Sequence, residues 1–369
     1  MENIPPLSLG TKVEQESLIP EPRRLPVQFT GSASEYFRIW IVNVALSIVT
    51  LGIYSAWAKV RTKNYFYRHT MLERSCFEYH AVPMQILKGR IIVGAGLAAI
   101  FFAKIYSLKL YAVLLLLLVL LSPAIFALAL AFNARNSSYR NVRFGFDGTV
   151  GAAYKTYLAG MAVYIVTLGL GFPYFQWRIV DYWASNHRYG NQHFHFNMTS
   201  GPFFGIYARA LGIMLLPIAG FTALMVVFRP TAGQAPVLQA PVLLLLVIYP
   251  IMFLVVGYVK ARQSNLVLGS ISLSPAGAAP SETSTHRLAA NQKVLEVIWL
   301  MVSNLVGIVL TIGLLIPWAK VRTARYRAEH LYVIANGELV AQGSAAPSGN
   351  GVLADAATDL GDIGFDLGI

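Results

Sequence analysis

Long uncharged stretches alternate with short polar segments along most of this chain. Four of these stretches are long enough to cross a hydrocarbon core of roughly 30 Å as single helices. Three further apolar segments each end in a glycine-containing break that is followed by basic residues. The four predicted spanning helices cover 88–106, 110–132, 203–228 and 240–260, and the three broken segments cover 36–58, 154–176 and 294–319.

The composition indicates a membrane protein. Hydrophobic residues make up 56% of the 369 residues, charged residues make up only 12%, and the mean hydropathy is +0.56. The single cysteine, Cys76, excludes an internal disulfide. The net charge is +12, and in a membrane protein such an excess is typical of cytoplasmic loops beside anionic lipid. We therefore expect anionic lipid on the cytoplasmic face as a partner, and no nucleic acid.

The three broken segments are copies of one another. TLGIYSAWAKVRTKNY at 50–65 aligns without gaps with TLGLGFPYFQWRIVDY at 167–182 and with TIGLLIPWAKVRTARY at 311–326. Identities that recur in phase predict an internal repeat. The shared positions are Thr50, Thr167 and Thr311; Gly52, Gly169 and Gly313; Arg61, Arg178 and Arg322; Tyr65, Tyr182 and Tyr326; and, in the first and third copies, Asn43 and Asn304, Trp57 and Trp318, and Lys59 and Lys320.

The expected fold is mainly α, a polytopic membrane protein built from repeat units. Short runs of alternating aromatic and polar residues, such as VRFGFDG, predict short β-strands, which must lie outside the lipid on the cytoplasmic side. The predicted divisions are a polar tail at 1–26, units at 27–135 and 142–262, a truncated unit at 266–344 with a linker at 273–290, and an acidic disordered tail at 345–369.

Two topologies remain open for the broken segments. If each of them spans once, the chain crosses seven times, the second unit is inverted, and the excess of cytoplasmic cations nearly vanishes. If each re-enters, four crossings remain, and only Lys104, Lys109 and Arg229 lie outside. The charge distribution favours re-entry, and both topologies predict a cytoplasmic carboxyl terminus.

Several motifs together resemble one known family. They are an FxG strand, the segment ending TLGIYxxWAKVRxxxY, an F-x-[YF] strand and N-x-R-[YF]-G-x-x-x-F from Asn186 to Phe194. This combination resembles the YjgN-like family of bacterial inner-membrane proteins over about residues 27–340. The resemblance implies a bacterial inner-membrane location and no established activity. Gln176 and Asp181 depart from the pattern, so a role for Lys59 and Lys320 does not extend to the second copy.

Polar residues within the apolar segments are candidates for a pathway or a ligand site. On a helix, Asn43, Ser47, Thr50 and Tyr54 form one stripe that ends at the break. Amide and hydroxyl contacts between packed helices are the alternative explanation. The candidate residues are Asn43, Thr50, Gly52, Thr167, Gly169, Asn304, Thr311 and Gly313.

The basic residues of the motif are candidates for binding an anionic solute or a lipid headgroup, because guanidinium groups bind phosphate bidentately. Anchoring of a helix end at the headgroups is the alternative. The basic candidates are Lys59, Arg61, Arg178, Lys320 and Arg322. The aromatic residues of the motif are interpreted as membrane-interface residues, and they are Trp57, Tyr65, Tyr182, Trp318 and Tyr326.

Histidine chemistry offers little further evidence. His193 and His195 share one face of a predicted strand downstream of His187, but no Cys, Asp or Glu at ligand spacing accompanies them, so we expect no metal site. His69 and His330 align with Asn186 and predict polar caps. We expect no enzyme activity, catalytic residue or cofactor, because the chain has no phosphate-binding glycine loop, nucleophile elbow or HExxH pattern.

Two functions follow from these observations. The first is a transporter or channel for a small solute, with an anion as one option, and with the repeated broken helices lining its pathway. The second is a non-transporting membrane scaffold or lipid-interacting assembly factor with a basic cytoplasmic face. The sequence leaves open the solute and the oligomeric state, including a homo-oligomer.

Overall fold

A computed structural model describes residues 22–227, 239–275 and 286–336, with side chains described except in 224–227 and 239–247. This part of the chain forms ten helices and eleven strands. The helices are α1 Ala33–Val49, α2 Ser55–His69, α3 Pro83–Tyr106, α4 Leu108–Arg135, α5 Val150–Val166, α6 Phe172–Ser185, α7 Gly201–Val227, α8 Gln239–Gly269, α9 Val294–Leu310 and α10 Ile316–Glu329. The strands are β1 Arg23–Pro26, β2 Gln28–Phe29, β3 Thr70–Leu72, β4 Ser75–Tyr79, β5 Ser137–Tyr139, β6 Val142–Phe146, β7 His187–Tyr189, β8 Gln192–Phe196, β9 Ile271–Pro275, β10 His286–Ala290 and β11 Leu331–Ala335.

All eleven strands pair into one antiparallel sheet that closes on itself. From β2 to β11 each strand pairs with the next along the chain, and β11 pairs with β1. Only Val27 separates β1 from β2, so one continuous segment carries both ends of the sheet. The Val27 N–H donates to the Leu331 carbonyl at 3.0 Å, and the Thr30 N–H donates to the His69 carbonyl at 2.9 Å. We call this closed sheet the strand ring.

The connections between the strands alternate between the two rims of the strand ring, as antiparallel pairing requires. At one rim, short turns at 73–74, 140–141 and 190–191 join successive strands. The connection between β9 and β10, at 276–285, lies outside the described residues. At the other rim the connections are five helical hairpins, each formed by two consecutive helices from α1–α2 to α9–α10. All ten helices therefore leave the strand ring from the same rim.

The helices themselves pack in a second ring. Each helix contacts the next one in chain order, and α10 contacts α1. Arg325 of α10 strengthens this closure, because its Nη2 donates to the Gly31 carbonyl just before α1 at 3.1 Å. Short and long hairpins alternate: α1 and α5 have 17 residues each, whereas α3 has 24 and α4 has 28. At 1.5 Å per residue these helices are about 25, 36 and 42 Å long.

The number of clear spanning helices differs from the prediction of four. Within the described residues, three helices are long and apolar enough to cross a membrane, namely Pro83–Tyr106, Leu108–Arg135 and Gly201–Ala223. The fourth predicted segment, 240–260, lies in α8, where the side chains before 248 are outside the described residues. Each broken segment forms a helical hairpin instead of one helix, so both of its ends return to paired strands of the same rim.

The strands form a larger sheet than the sequence predicted. The linker predicted at 273–290 is wrong at both ends, because Leu273 pairs with His286 in the sheet. Arg23–Pro26, which was assigned to the amino-terminal tail, forms β1 because β11 supplies a pairing partner. Two features hide these strands from sequence analysis. Their pairing partners are distant in sequence, or the strands lack a strict alternation of apolar and polar residues. The remainder of the first tail, 1–21, and the tail at 345–369 lie outside the described residues.

Candidate functional site

The Thr-Leu-Gly break is a tight turn at the tip of the first short hairpin. Leu51 and Gly52 have positive φ angles of 51° and 89°, which terminate α1 in a left-handed conformation that glycine tolerates best. The Gly52 N–H donates to the Ser47 carbonyl at 2.7 Å. The Thr50 hydroxyl donates to the Leu46 carbonyl at 2.7 Å and accepts from the Tyr54 N–H at 2.9 Å. Thr50 thus fixes both sides of the turn.

The other two short hairpins have the same turn. The hydroxyl of Thr167 accepts from the Gly171 N–H at 2.6 Å, and that of Thr311 accepts from the Leu315 N–H at 3.1 Å. The residues with positive φ are Leu168, Gly169, Ile312 and Gly313. Six of the eight pathway candidates therefore build turns, and none of these six lines either cavity described below. Beside them, Leu51, Leu168 and Ile312 are 94%, 94% and 95% exposed.

The three motif tyrosines each clamp the base of one short hairpin. The Tyr65 hydroxyl accepts from the Ser32 N–H and donates to the Ser32 carbonyl, both at 2.9 Å. The Tyr182 hydroxyl donates to the Thr149 carbonyl at 3.0 Å, and the Tyr326 hydroxyl accepts from the Lys293 N–H at 3.1 Å. Each bond ties the end of the second helix to the start of the first.

Polar caps lie one turn beyond these tyrosines, as the sequence predicted. The carbonyls of the three tyrosines bond to His69 Nδ1 at 2.7 Å, to Asn186 Nδ2 at 2.7 Å and to His330 Nδ1 at 2.8 Å. Each bond runs from a residue to the carbonyl four positions earlier, so it satisfies a carbonyl at the end of a helix. The sequence alignment and the geometry assign the same role to these three residues.

The three motif arginines do not share one environment. Arg61 is exposed and donates to the Tyr54 hydroxyl at 3.0 Å. Arg178 lies 5.9 Å from the centre of the Trp177 ring. Arg322 joins α9 and α10, the helices of the third short hairpin, because its Nη1 donates to Asn304 Oδ1 at 3.1 Å. Its guanidinium carbon lies 5.1 Å from the centre of the Trp318 ring. Trp57 stacks on Tyr54, with ring centres 6.2 Å apart.

The strand ring encloses a central cavity of about 950 Å³. Every strand from β3 to β11 contributes to its lining, and so does the second helix of each hairpin. Aromatic and aliphatic side chains form most of the wall. Burial raises the pKa of Tyr189 to about 12, so this wall residue is uncharged at neutral pH. Five aromatic residues that line the cavity are Phe77, Tyr139, Phe144, Tyr189 and Phe194.

The charged groups of the central cavity are all basic. Arg287, Lys320 and Arg327 line it, and no Asp or Glu occurs among the described residues of its wall. Two histidines, His187 and His286, also line the cavity, and burial lowers the pKa of both. Both are therefore neutral at pH 7. A cavity with an apolar wall and a basic patch is suited to an anion that also has an apolar part.

A second cavity of about 810 Å³ opens between helices α1, α2, α3 and α10, and we call it the lateral cavity. Four cations line it: Lys59, Lys63, Arg90 and Lys320. The Lys63 ammonium donates to Asn133 Oδ1 at 3.0 Å, and the Arg90 guanidinium donates to the Ser55 hydroxyl. No carboxylate occurs among the described residues that line this cavity.

The two motif asparagines have opposite environments. Asn304 is fully engaged: its Nδ2 donates to the Thr323 hydroxyl at 3.1 Å, and its Oδ1 accepts from Arg322. Asn43 lines the lateral cavity and is only 5% exposed, and neither its Oδ1 nor its Nδ2 has a hydrogen-bond partner among the described residues. An unsatisfied buried polar group costs about 1–3 kcal/mol. The two aligned positions of the motif therefore have one satisfied and one unsatisfied amide.

Lys320 belongs to the walls of both cavities. Of the five basic candidates, Lys59 and Lys320 line a cavity, whereas Arg61, Arg178 and Arg322 line neither. The sequence did not identify Arg327, Arg287 or Arg90 as site residues. Arg90 is a charge within a predicted spanning segment, which is the signal that could have identified it.

The described residues contain no group of three potential metal ligands. His193 Nδ1 lies 3.8 Å from a carboxylate oxygen of Asp147. His193 and His195 alternate along β8 with Phe194, which lines the central cavity, so the two histidines lie on the opposite face of the strand. Of the three histidines His187, His193 and His195, His187 is the one that lines the central cavity.

Comparisons with known proteins place these features in one family. The profile of the family described as "Bacterial protein of unknown function (DUF898)" matches residues 24–360. The chain is 24% identical over 352 residues to the inner membrane protein YjgN of Salmonella typhimurium, an alignment that covers 83% of this chain and 87% of that protein. It is also 29% identical over 155 residues to the inner membrane protein YjgN of Escherichia coli O157:H7, covering 40% of this chain and 37% of that protein. No solved structure gives a significant match. The extent of the profile match and the names of these relatives show that the chain belongs to the YjgN-like family of bacterial inner-membrane proteins.

Proposed function

We propose that this protein is a multi-pass inner-membrane transporter that binds an amphipathic organic anion in the central cavity. The observation that supports this most is a wall of apolar and basic residues, without a carboxylate among its described members. The pathway in this proposal runs through the strand ring and along α10. The sequence-based version, with a pathway through the broken segments, is less well supported because their turns lie outside both cavities.

Hairpin length supports an arrangement in the membrane that combines crossing and re-entrant segments. The long hairpin α3–α4 extends about 36–42 Å from the strand ring, which is enough for a hydrocarbon core of roughly 30 Å and part of an interface. The short hairpins extend only about 25 Å and return, so their tips end inside the bilayer. Their tip residues Leu51, Leu168 and Ile312 are almost fully exposed and apolar, as contact with lipid requires.

Charge supports a cytoplasmic location for the strand ring. Lys104 and Lys109 flank Ser107 at the tip of α3–α4, on the far side of the bilayer from the ring. Most other described cations lie on the ring or on the near half of the helices, and cytoplasmic segments carry an excess of Lys and Arg. The described chain ends beside β11, so its carboxyl-terminal side is cytoplasmic too. Labelling of Arg140→Cys from the periplasm, in a Cys76→Ser background, would contradict this orientation.

Binding of a charged and an uncharged probe tests the central cavity. We expect a fluorescent fatty acid to bind the purified protein at least about tenfold more tightly than its methyl ester, because only the acid pairs with the basic patch. Arg327→Gln should weaken binding of the acid and leave the ester unchanged. Arg61→Gln is the matched control, because it removes the same charge outside both cavities. Equal affinity for acid and ester would refute the ligand class.

Transport is tested separately with the same acid in proteoliposomes. We expect the wild-type protein to accelerate exchange of the acid across the bilayer and Arg327→Gln to reduce that acceleration. The opening of the lateral cavity between helices favours a second candidate function, a non-transporting lipid-interacting assembly factor. Tight binding without accelerated exchange would support that second function over transport.

A further inference from the structure

Helix α2 lines both cavities with one continuous face. Ser55, Lys59 and Lys63 line the lateral cavity, and Phe66 lines the central cavity. These positions are three or four residues apart, so their side chains follow one another along the same side of the helix. The two cavities are therefore consecutive along α2. The lateral cavity begins near the hairpin tip, and the central cavity takes over towards the strand ring.

Lys320 of α10 lies where the two cavities meet, because its side chain lines both. On the same face of α10, Ile316 and Thr323 line the central cavity. The side chain of Lys320 is exposed, and a lysine ammonium group is a compact charge on a flexible four-carbon stem. This ammonium group can therefore face either cavity.

The lateral cavity reaches the surface of the helix ring at the depth of the hydrocarbon. Ile48 lines it and is 69% exposed. Ile48 and Val44 are about 22 and 16 Å along α1 from the strand ring, whereas Lys63 and Lys320 are about 9 and 14 Å from it. With the strand ring at the cytoplasmic surface, as in the proposed function, the aliphatic residues lie deeper in the bilayer than the basic ones. An amphipathic anion of the inner leaflet has the same orientation.

Asn43 adds a hydrogen-bonding group at the level of Lys320. It is ten residues into α1, about 15 Å from the strand ring. Its buried amide has no partner among the described residues, whereas Asn304 at the aligned position has partners for both polar atoms. An amide N–H₂ group donates well to a carboxylate oxygen. Asn43 and Lys320 thus offer a hydrogen bond and a charge to an anionic group where the cavities meet.

We propose that the lateral cavity is the entrance through which the amphipathic anion passes from the inner leaflet into the central cavity, with Lys320 guiding its anionic group from one cavity to the other. This inference rests on the proposed function for its destination. It adds the source of the substrate, which is a single-chain anion dissolved in the bilayer. The aqueous mouth of the strand ring is the competing route.

Two tryptophans report on the route, because Trp40 lines the lateral cavity and Trp183 lines the central cavity. The full chain in phosphatidylcholine nanodiscs is mixed rapidly with a brominated fatty acid, which quenches nearby indole rings. The quenching that is lost in Trp40→Phe or in Trp183→Phe is assigned to that residue. We expect quenching of Trp40 to precede quenching of Trp183. Quenching of Trp183 before or without Trp40 would overturn the entrance, because the acid would then arrive from the aqueous side.

The methyl ester of the same acid controls for quenching through the surrounding lipid. We expect half-maximal quenching of Trp40 at an at least about tenfold lower concentration of the acid than of the ester. Lys320→Gln should reduce this preference, and Lys320→Arg should retain it because the charge remains. Equal loss in both variants would contradict the role of the Lys320 charge.

Obstruction of the lateral cavity tests the route directly. Ala58 lines the lateral cavity and not the central one, and Ala58→Phe narrows it. We expect this variant to slow quenching of Trp183 at least about tenfold and to leave its final extent unchanged, because an obstructed route alters rates and not the equilibrium. Ala45→Phe is the matched control, because Ala45 is exposed on α1 and lines neither cavity.

Failure of the entrance and failure of the proposed function give different results. If Trp183 is quenched in an Arg327-dependent manner and Ala58→Phe does not slow it, the entrance is wrong and the proposed function stands. If the acid quenches Trp183 in no protein, the central cavity is not its destination, and both proposals are wrong.

Discussion

The first and third short hairpins share a motif and a turn, yet they use its asparagine differently. In both, the Thr and Gly of the break make the same backbone bonds and the base tyrosine makes the same clamp. Asn304 bonds to Arg322 and Thr323, whereas the described part of the chain offers Asn43 no hydrogen-bond partner. The Thr, Gly and Tyr that shape the hairpin have the same role in both hairpins. The asparagine has a different role in each.

The second hairpin shows how the same position loses its polar group. Gly160 takes the place of the asparagine, and a Cβ there would lie 2.2 Å from a ring carbon of Phe175. Because α5 and α6 pack this closely, the second hairpin has no room for an amide or a ligand at this level. At this aligned position the first short hairpin has an unsatisfied amide, the second has a close contact between its helices, and the third has a satisfied amide.

The largest difference in stability between the two hairpins should appear when each asparagine is replaced by leucine. Asn304→Leu removes an acceptor of Arg322 and a donor to Thr323, so we expect the free energy of unfolding to fall by about 1–3 kcal/mol. Asn43→Leu removes no bond within the protein, and we expect it to be neutral or stabilising. Urea unfolding in detergent measures both, and equal losses for the two variants would remove the distinction between the hairpins.

The shared turn should respond equally in the two hairpins. Gly52→Ala and Gly313→Ala each force a Cβ onto a residue with φ near +90°, so we expect both to lower the free energy of unfolding by about 1 kcal/mol. Gly94→Ala is the control, because Gly94 lies within α3 with open space around it, and there alanine should stabilise the helix. A clear difference between the two tip variants would contradict a common turn.

The pH dependence of stability should be the smallest effect and should come from buried histidines of the strand ring. Burial lowers the pKa of His187, so below its ordinary pKa the folded protein binds fewer protons than the unfolded chain. Stability should therefore fall by less than about 1 kcal/mol for this group as the pH decreases from about 7.5 to about 6.

Two histidine variants identify the source of this pH dependence. His187→Gln should flatten the decline, and the variant that also carries His286→Gln should flatten it further, because burial lowers the pKa of His286 as well. Thermal unfolding at several pH values measures both variants, and an unchanged slope in the double variant would rule out the buried histidines.

Local sequence patterns located the turns and caps whose hydrogen bonds join nearby residues. The Thr-Leu-Gly break and the polar caps at His69, Asn186 and His330 involve bonds over three to five residues, so repetition in the sequence was enough to locate them. The hydrogen-bond partners of the motif tyrosines are far away along the chain, such as Ser32 for Tyr65, which is 33 residues away. The sequence gives no measure of such a distance.

The sequence by itself determined the membrane class, the family resemblance and the position of the repeated breaks, because hydrophobicity and local turns are properties of short segments. Closure of the strand ring, which joins Arg23–Pro26 to the last strand, was decided only in three dimensions. The central cavity depends on that closure, since its wall combines residues from all three predicted units. Asn43 and Asn304 occupy the same place in the repeat, and only the packing around them decides which one is left without a partner.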